Sequence, residues 1–321
     1  MRRALAAVVC SAALALAACQ QDGLQTGGAA PRLAGEAVSF APHTPGPLPQ
    51  TLLPTQFAPH LLQAAPPQPP SIPGTLRLPP GEGRVPAVVI LHGTGGVDGR
   101  GEQYARALLE QGIATLEIDM WGPRGISNQN AGPRRPLVVL MMPDAYGALR
   151  FLASHPRIDQ RRIGVMGMSM GANQALFAST TRVREFFGTA GVDFRAALSL
   201  YPVCWSFVER GPNVHFVDEN FPRIPYLLLI GDRDDYDVDG GAACRTLVSS
   251  GSEAARRRGS IHVYPGATHG WERPEQGPIT FRDPAAARGR GGVVNVERNE
   301  AVTRDSIQRT VSFFRENLSA R

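Results

Sequence analysis

The amino-acid sequence predicts a doubly wound α/β fold in which helices cover both faces of a mostly parallel sheet. From about residue 72 onward, apolar runs of strand type alternate with helical stretches, as in sheets of this class. Several strand-like runs are apolar throughout, as expected for strands buried on both faces. No insertion between them is long enough for a large lid domain. Of the 321 residues, 43% are hydrophobic and 19% are charged, which excludes an intrinsically disordered chain.

The order of the elements follows from these runs. The strand-like runs, in chain order, are Thr75–Leu78, Ala87–Leu91, Ala114–Ile118, Ile163–Met166, Ala196–Leu200, Tyr226–Ile230 and Ile261–Tyr264. The helical stretches are Gln103–Gln111, Asp144–Ser154, Gly171–Ser179, Ala242–Arg257 and Ala301–Leu318. Because binding sites of such sheets form at the carboxyl ends of the strands, we expect functional residues in the loops that follow these runs.

The basic charge balance comes from arginine alone. The sequence has 33 Lys+Arg against 28 Asp+Glu, and none of the 33 is Lys. The arginines are scattered among Ala, Gly and Pro, whereas a nucleic-acid-binding surface clusters its cations. We therefore interpret the formal charge of +5 as a compositional bias and expect no nucleic-acid partner.

The first 18 residues are interpreted as a signal peptide. Arg2 and Arg3 precede an apolar run, Ala4–Ala18, which is shorter than the ~20 residues that span a bilayer. The run ends in Leu-Ala-Ala-Cys, which resembles a bacterial lipobox and implies cleavage before Cys19 and lipidation of its thiol. The alternative is an ordinary cleavage site with a chance cysteine. Because Gln20 follows, we expect a periplasm-facing protein anchored by its lipid in the cell envelope, at the outer membrane.

A tether is predicted between the lipid and the folded domain. Residues 31–80 hold 14 of the 28 prolines, and Pro-rich sequence forms semi-extended spacers. We assign residues 19–71 to the lipidated cysteine and the tether, and residues 72–321 to one catalytic domain. Within the tether, Ala37–Phe40 and Phe57–Leu62 are the parts expected to lie against the domain.

The loop after Ile163–Met166 carries the pattern G-x-S-x-G, with Ser169 at its centre. A strand precedes the pattern and a helix follows it, which is the context of a nucleophile elbow. Glycine is needed at 167 and 171 because neighbouring chains pass close to such a strained turn. The pattern therefore predicts Ser169 as a nucleophile.

A serine nucleophile needs a base, and the base needs an orienting carboxylate. In this kind of fold the chain order is serine, acid, histidine. His269 follows the strand-like run Ile261–Tyr264 and is the predicted base, because His262 lies inside that run.

Several aspartates follow the run Tyr226–Ile230 and compete for the role of the acid. Asp232 is expected to point away or to cap the turn. Asp237 and Asp239 fit a cap of the next helix. Asp234 and Asp235 remain open, and Asp234 is preferred.

An oxyanion hole needs two backbone amides. One is that of Met170, directly after the nucleophile. The glycine-rich turn that begins at His92 supplies the other, for which we choose Thr94. His92 itself precedes the serine in the chain, so we expect its ring to bind local backbone.

The substrate is less clearly encoded. Two longer excursions, Met120–Met142 and Tyr201–Pro225, follow strand ends and can border the site. Arg124 could bind a substrate carboxylate, or it could form a structural ion pair with a carboxylate such as Asp119. The other candidate wall residues are the three tryptophans, Trp121, Trp205 and Trp271. The sequence has no cluster with metal-ligand spacing and, without Lys, no phosphate-binding loop of the GK[ST] type, so we expect no metal and no cofactor.

Cys204 and Cys244 are the cysteines of the predicted domain. In an oxidising periplasm two thiols are a natural pair. Both should lie near the same rim of the sheet, since successive strands are usually neighbours. Two buried, reduced thiols are the alternative.

From about residue 72 to residue 318 the chain resembles the dienelactone hydrolase group of α/β-hydrolases. The segments that carry the resemblance are Pro73–Pro79, Val89–Gly93, Gly122–Gly125, Gly167–Gly171, Leu229–Asp235 and Tyr264–Gly270. In that family the acid follows the strand glycine by three positions, which implies Asp234. The namesake enzymes use a cysteine nucleophile, and they carry a glutamate in the loop that here reads Thr94–Asp98. The resemblance implies an α/β-hydrolase fold and a serine-nucleophile variant.

The predicted function is the hydrolysis of small-molecule carboxylic esters, lactones among them, by a monomer. Ser169, His269 and Asp234 would act through an acyl-enzyme. Cleavage of amides or peptides uses the same groups and stays an alternative. A surface-attached binding protein without turnover is the second alternative, and it is disfavoured because the serine, the histidine and the acid are all kept.

Overall fold

The computed structural model describes residues 33–49, 52, 68–127, 138–188, 191–208, 221–275 and 277–319. Its centre is an eight-stranded sheet with the order β1-β2-β4-β3-β5-β6-β7-β8. The strands are β1 (Glu36–Phe40), β2 (Ile72–Arg77), β3 (Val85–Leu91), β4 (Ala114–Ile118), β5 (Ile158–Met168), β6 (Ala197–Leu200), β7 (Tyr226–Gly231) and β8 (Gly259–Tyr264). β1 and β2 run antiparallel to their neighbours, and the pairs from β4 to β8 are parallel.

Helices follow most of the parallel strands, as the alternating pattern predicts. They are α1 (Arg100–Glu110), α2 (Met142–Ser154), α3 (Met170–Ser179), α4 (Thr181–Phe187), α5 (Trp205–Val208), α6 (Ala242–Ser249), α7 (Glu253–Arg256), α8 (Ala286–Gly289) and α9 (Glu300–Asn317). The side chains of Ala87–Leu91 are completely buried, so both faces of the central strands are covered. The predicted doubly wound, mostly parallel fold is confirmed.

The stretch Ala242–Arg257, predicted as one helix, is interrupted. Gly251 has a φ of +81° and lies against the ring of Phe221, so that a Cβ there would come within 2.7 Å of it. Ser252 then caps the second helix by accepting a hydrogen bond of 3.2 Å from the amide of Ala255. The positive φ ends α6, and the serine starts α7.

Part of the predicted tether belongs to the sheet. Glu36–Phe40 pairs antiparallel with β2, and Phe40 is buried against Phe151 of α2, with 5.5 Å between the ring centroids. The segment Ala37–Phe40 thus lies against the domain as expected, and it does so as an edge strand of the sheet. Cys19, the signal peptide and Phe57–Leu62 lie outside the described residues.

One further pair of strands follows the main sheet. β9 (Ile279–Asp283) and β10 (Gly292–Val296) form an antiparallel hairpin, which the sequence analysis did not anticipate. Within the described ranges no larger inserted domain accompanies it. Among all the described residues, no helix has both the length and the apolar character needed to cross a membrane.

Candidate active site

Ser169 lies in a sharp turn between β5 and α3. Its φ of +54° is uncommon for any residue other than glycine. A Cβ at Gly167 would come within 2.1 Å of the carbonyl oxygen of Gly171, and one at Gly171 within 2.3 Å of that of Leu91. Only glycine fits at these two positions, so the flanking glycines allow the strained turn that presents the serine.

The structure brings Ser169, His269 and Asp234 together in one hydrogen-bonded chain. Nε2 of His269 lies 2.8 Å from Oγ of Ser169. Nδ1 of the same ring lies 2.7 Å from Oδ2 of Asp234. All three residues are at least nine-tenths buried, so little water competes for these hydrogen bonds.

The loop after β7 separates the roles of its aspartates. The carboxylate of Asp234 faces His269, and its other oxygen accepts the amide of Tyr236 at 2.9 Å. Asp235 instead accepts the backbone and side-chain amides of Asn295 at 2.7 and 3.0 Å. The geometry therefore puts Asp234, and not Asp235, beside the histidine.

Of the remaining aspartates, Asp239 caps α6 as predicted, accepting the amides of Ala242 and Ala243 at 2.9 Å each. Asp232 accepts the amide of Gly266. Asp237 does not cap α6. It accepts the amides of Cys204 and Trp205 at 3.1 and 3.0 Å, because the loop turns it towards the end of β6.

The glycine-rich turn after β3 lies against the serine. A Cβ at Gly93 would come within 3.4 Å of the Cβ of Ser169. The carbonyl of Thr94 is held by Nε1 of Trp121 at 3.1 Å. Met170 is the first residue of α3, where backbone amides have no acceptor within their own helix. Thr94 lines the same cavity as Ser169, and the assignment of the Thr94 and Met170 amides as oxyanion donors stays a prediction.

His92 supports this turn from behind. Its Nε2 accepts the amide of Met120 at 3.0 Å, so Nδ1 donates to the carbonyl of Gly93 at 2.7 Å. Burial lowers the pKa of His92, which agrees with a neutral ring in that role. Its hydrogen bonds to local backbone are those the sequence analysis expects.

The nucleophile elbow and the hydrogen-bonded triplet at the strand ends agree with the family that the sequence matches. Residues 72–318 match the dienelactone hydrolase family. The chain belongs to this family.

Two curated mouse (Mus musculus) relatives have names that refer to acyl-coenzyme A or succinyl-coenzyme A. Acyl-coenzyme A amino acid N-acyltransferase 2 is 29% identical over 240 residues, which covers 65% of this chain and 54% of that protein. Peroxisomal succinyl-coenzyme A thioesterase is 29% identical over 106 residues, covering 33% and 23% respectively. The chain thus spans about half the length of the first relative and less of the second.

Among solved structures, Thermogutta terrifontis esterase 2, phosphorylated by paraoxon, has a similar fold. The TM-score is 0.53 at 16% sequence identity, with 78% of this chain and 91% of that chain covered. At this identity the similarity concerns the fold alone.

In this member of the dienelactone hydrolase family, Arg124 does not reach the serine. Its guanidinium donates to both carboxylate oxygens of Asp144 at 2.7 and 3.0 Å, and both side chains are almost completely buried. Burial raises the pKa of Asp144 to about 6, and the hydrogen bonds from Arg124 oppose that shift. Asp119, the predicted partner, instead accepts the amides of Trp121 and Gly122. The structural ion pair is therefore present, but with a different carboxylate.

The three tryptophans also lie away from the cavity. Trp271 is completely buried between aromatic rings and donates to Oγ of Ser306 at 3.2 Å. Trp121 lies behind the Thr94 turn, and Trp205 packs beside Gly289. Large apolar side chains near strand ends fill the core here, and none of the three lines the cavity at Ser169.

The cavity in front of Ser169 and His269 has a volume of about 720 Å³. Much of its wall is the β9–β10 hairpin, including Ile279, Phe281 and Val296. Sequence reasoning missed this wall. A weak signal was present, because two short runs with alternating apolar residues lie on either side of residues 284–291, which begin with Pro284 and contain two glycines.

A buried group of charges lies beside the histidine. The ring of Tyr201 is 4.6 Å from that of His269, and its hydroxyl donates to Glu272. Arg100 pairs with Asp98 at 2.6 Å and donates to the Tyr201 hydroxyl at 3.4 Å. Burial raises the pKa of Glu272, and the charge of Arg100 opposes that shift. Asp98 and Arg100 line the same cavity as Ser169, whereas Tyr201 and Glu272 are completely buried.

Cys204 and Cys244 are joined in a disulfide, with their Cα atoms 5.1 Å apart. Among the described residues, the two sulfurs and a carboxylate oxygen of Asp237 lie close enough together to hold a metal ion. Because the two sulfurs are bonded to each other, they are not two thiolate ligands. The bridge connects the end of β6 to α6, and so holds the loop that carries Asp234.

Proposed function

We propose that this protein is a serine hydrolase that cleaves carboxylic esters, lactones among them, through an acyl-enzyme. The hydrogen-bond chain from Asp234 through His269 to Ser169 carries the proposal. A serine hydroxyl is a weak nucleophile at its ordinary pKa, and this chain supplies both the base and the group that orients it. Membership of the dienelactone hydrolase family supports the same class of reaction.

In the acylation step, Oγ of Ser169 attacks the ester carbonyl while Nε2 of His269 takes its proton. The Asp234 carboxylate holds the Nδ1 proton and stabilises the imidazolium. The oxyanion is received by the amides of Met170 and Thr94. Collapse of the tetrahedral intermediate breaks the ester bond, and His269 gives its proton to the departing alcohol oxygen.

In the second step, water takes the place of the alcohol. His269 removes a proton from the water as it attacks the acyl carbonyl, and the acid leaves as Ser169 regains its proton. No cofactor takes part in either step.

A fluorophosphonate probe tests the nucleophile. We expect stoichiometric labelling of the full chain, loss of labelling in Ser169→Ala, and unchanged labelling in Ser249→Ala, a control at an exposed serine. Labelling that persists in Ser169→Ala would contradict the proposal. Absent labelling of a folded wild-type protein would favour the binding-protein alternative. A screen of p-nitrophenyl esters beside aminopeptidase substrates separates ester from peptide cleavage.

Hydrolysis of acyl thioesters is a second candidate. Its support is the relationship to the mouse acyl-coenzyme A amino acid N-acyltransferase, which extends over 240 residues. The proposed steps apply equally to a thiolate leaving group. Comparing kcat/KM for an acyl-coenzyme A and for the p-nitrophenyl ester of the same acid decides between them.

We also propose that Cys19 is lipidated and anchors the protein in the bacterial envelope. The support is the charged and apolar leader that ends in Leu-Ala-Ala-Cys. Replacing Cys19 by Ser should release the protein from the membrane fraction. If the variant still sediments with membranes after a high-salt wash, the anchor is not this cysteine.

A further inference from the structure

The β9–β10 hairpin leaves two large apolar side chains uncovered on the face that borders the cavity. Ile279 and Phe281 pair with Val296 and Val294 across the hairpin, so all four share one face. The two valines are buried. Ile279 and Phe281 are 43% and 40% exposed and line the cavity at Ser169. We call these two side chains the hairpin wall.

The hairpin is held at both ends by the loops of the hydrogen-bonded triplet. The hydroxyl of Tyr236, in the Asp234 loop, donates to Asp283 of β9 at 2.9 Å. Directly after β10, the amide of Glu297 donates to Oγ1 of Thr268 at 2.8 Å, next to His269. The wall is therefore a fixed part of the site, and its apolar surface is preformed for a ligand.

The hairpin that carries the wall lies beside the loop of His269 and lines the same cavity as its ring. The ring of Tyr236 lies 4.5 Å from that of His269. A Cβ at Gly270 would come within 3.4 Å of Val296 of β10. Because His269 must pass its proton to the leaving group, that part of the substrate has to lie on this side of the cavity.

Of the arginines that line the cavity, Arg282 follows Phe281 on β9 and so points to the other face of the strand, and the other two have carboxylate partners. Arg100 is paired with Asp98 at 2.6 Å. Arg273 is paired with Glu275 at 3.2 Å. The hairpin wall is apolar surface left open in the cavity, and covering it removes apolar area from water.

We infer that the hairpin wall binds the leaving group and makes the enzyme select esters of bulky, apolar alcohols. This inference rests on the proposed ester hydrolysis at Ser169. Phe281 and Ile279 are then specificity-determining residues, and they contact the alcohol rather than the acyl group.

Benzyl acetate and methyl acetate test this directly. They form the same acetyl-enzyme, so the ratio of their kcat/KM values reports on the alcohol alone. Phe281→Ala should lower kcat/KM for benzyl acetate about 10-fold and change that for methyl acetate less than about two-fold. The matched control is Val293→Ala: Val293 is 44% exposed on the other face of the same hairpin, and this variant should leave the ratio unchanged.

An unchanged ratio in a folded Phe281→Ala protein would overturn the inference. So would an effect seen only when the acyl chain is lengthened, as between methyl acetate and methyl hexanoate. A binding measurement keeps this test separate from the proposed function. By ligand-observed NMR, benzyl alcohol should bind Ser169→Ala more strongly than the double variant Ser169→Ala/Phe281→Ala, whether or not the enzyme turns over. Equal binding would also overturn the inference, whereas failure of Ser169 labelling would refute only the proposed function.

Discussion

The hydroxyl of Tyr236 donates a hydrogen bond to Asp283 at 2.9 Å and thereby joins the Asp234 loop to the hairpin. Both side chains are buried. Tyr236 lies two residues after Asp234, and its ring packs against His269. One tyrosine thus connects the acid, the base and the wall of the cavity.

Replacing Tyr236 by Phe should lower the free energy of unfolding by about 1 kcal/mol, since it leaves a buried carboxylate without one donor. It should also lower kcat/KM about 10-fold, because the wall and the Asp234 loop are no longer held in register. Urea denaturation and ester kinetics measure the two effects.

Tyr264→Phe is the matched control for this prediction. The Tyr264 hydroxyl also donates to an aspartate, Asp305, at 2.8 Å, but neither residue lines the cavity. Because Asp305 is partly exposed and also pairs with Arg309, we expect a smaller loss of stability and unchanged kinetics. Equal kinetic effects of the two variants would show that the Tyr236 bond has no special role in the site.

The sequence was sufficient for the residues whose positions depend on local rules. Ser169 could be predicted because the elbow needs a strand, two glycines and a helix within a short segment. His269 and Asp234 followed from chain order and from the family pattern. All three residues lie in loops that follow parallel strands, and the end of such a strand can be recognised in the sequence as the end of an apolar run.

The wall of the site could not be predicted in the same way. A tryptophan after a strand can border a cavity or fill the core, and only tertiary packing decides, as the buried Trp271 shows. The hairpin strands are short and partly exposed, so their apolar pattern is weak. Ala37–Phe40 could be expected to lie against the domain, but its pairing with β2 could not, because β2 is distant in the sequence and only tertiary structure joins the two.

The disulfide should make a large contribution to the free energy of unfolding. Cys204 and Cys244 are separated by 40 positions, and a bridge over a loop of that length contributes ~3–4 kcal/mol by limiting the unfolded chain. The Cys204→Ser/Cys244→Ser double variant should lose about that much in urea denaturation. Non-reducing peptide mapping should recover the two cysteines in one linked peptide, and two separate alkylated peptides would contradict the bridge.

The pH dependence of stability should carry a contribution from Asp237. Burial, with the nearby charge of Asp234, raises its pKa to about 8 from an ordinary value of 3.8. Between these values the folded protein keeps a proton that the unfolded chain has released, so this contribution to stability falls as pH rises. Asp237→Asn should reduce the loss of stability between pH 5 and pH 8 seen in urea denaturation. An identical loss in both proteins would contradict the raised pKa.

Arg124 should matter for stability and not for catalysis. Arg124→Ala leaves the buried Asp144 without its partner and should lower the free energy of unfolding by about 3–5 kcal/mol. The double variant Arg124→Met/Asp144→Leu leaves no buried charge unpaired, so it should recover part of the lost free energy of unfolding. A stable Arg124→Ala protein with a raised KM would instead indicate contact with substrate.

The proposed mechanism requires that His269 activates Ser169, whose Oγ lies 2.8 Å from Nε2 of the histidine. The most direct measurement is kcat/KM for p-nitrophenyl acetate in His269→Ala, with His262→Ala as the control in the neighbouring strand and circular dichroism to verify folding. Since a triad acts as a unit, we predict a loss of at least ~10³-fold in His269→Ala and near wild-type activity in the control. Robust turnover by a folded His269→Ala protein would contradict the role of His269 as the base.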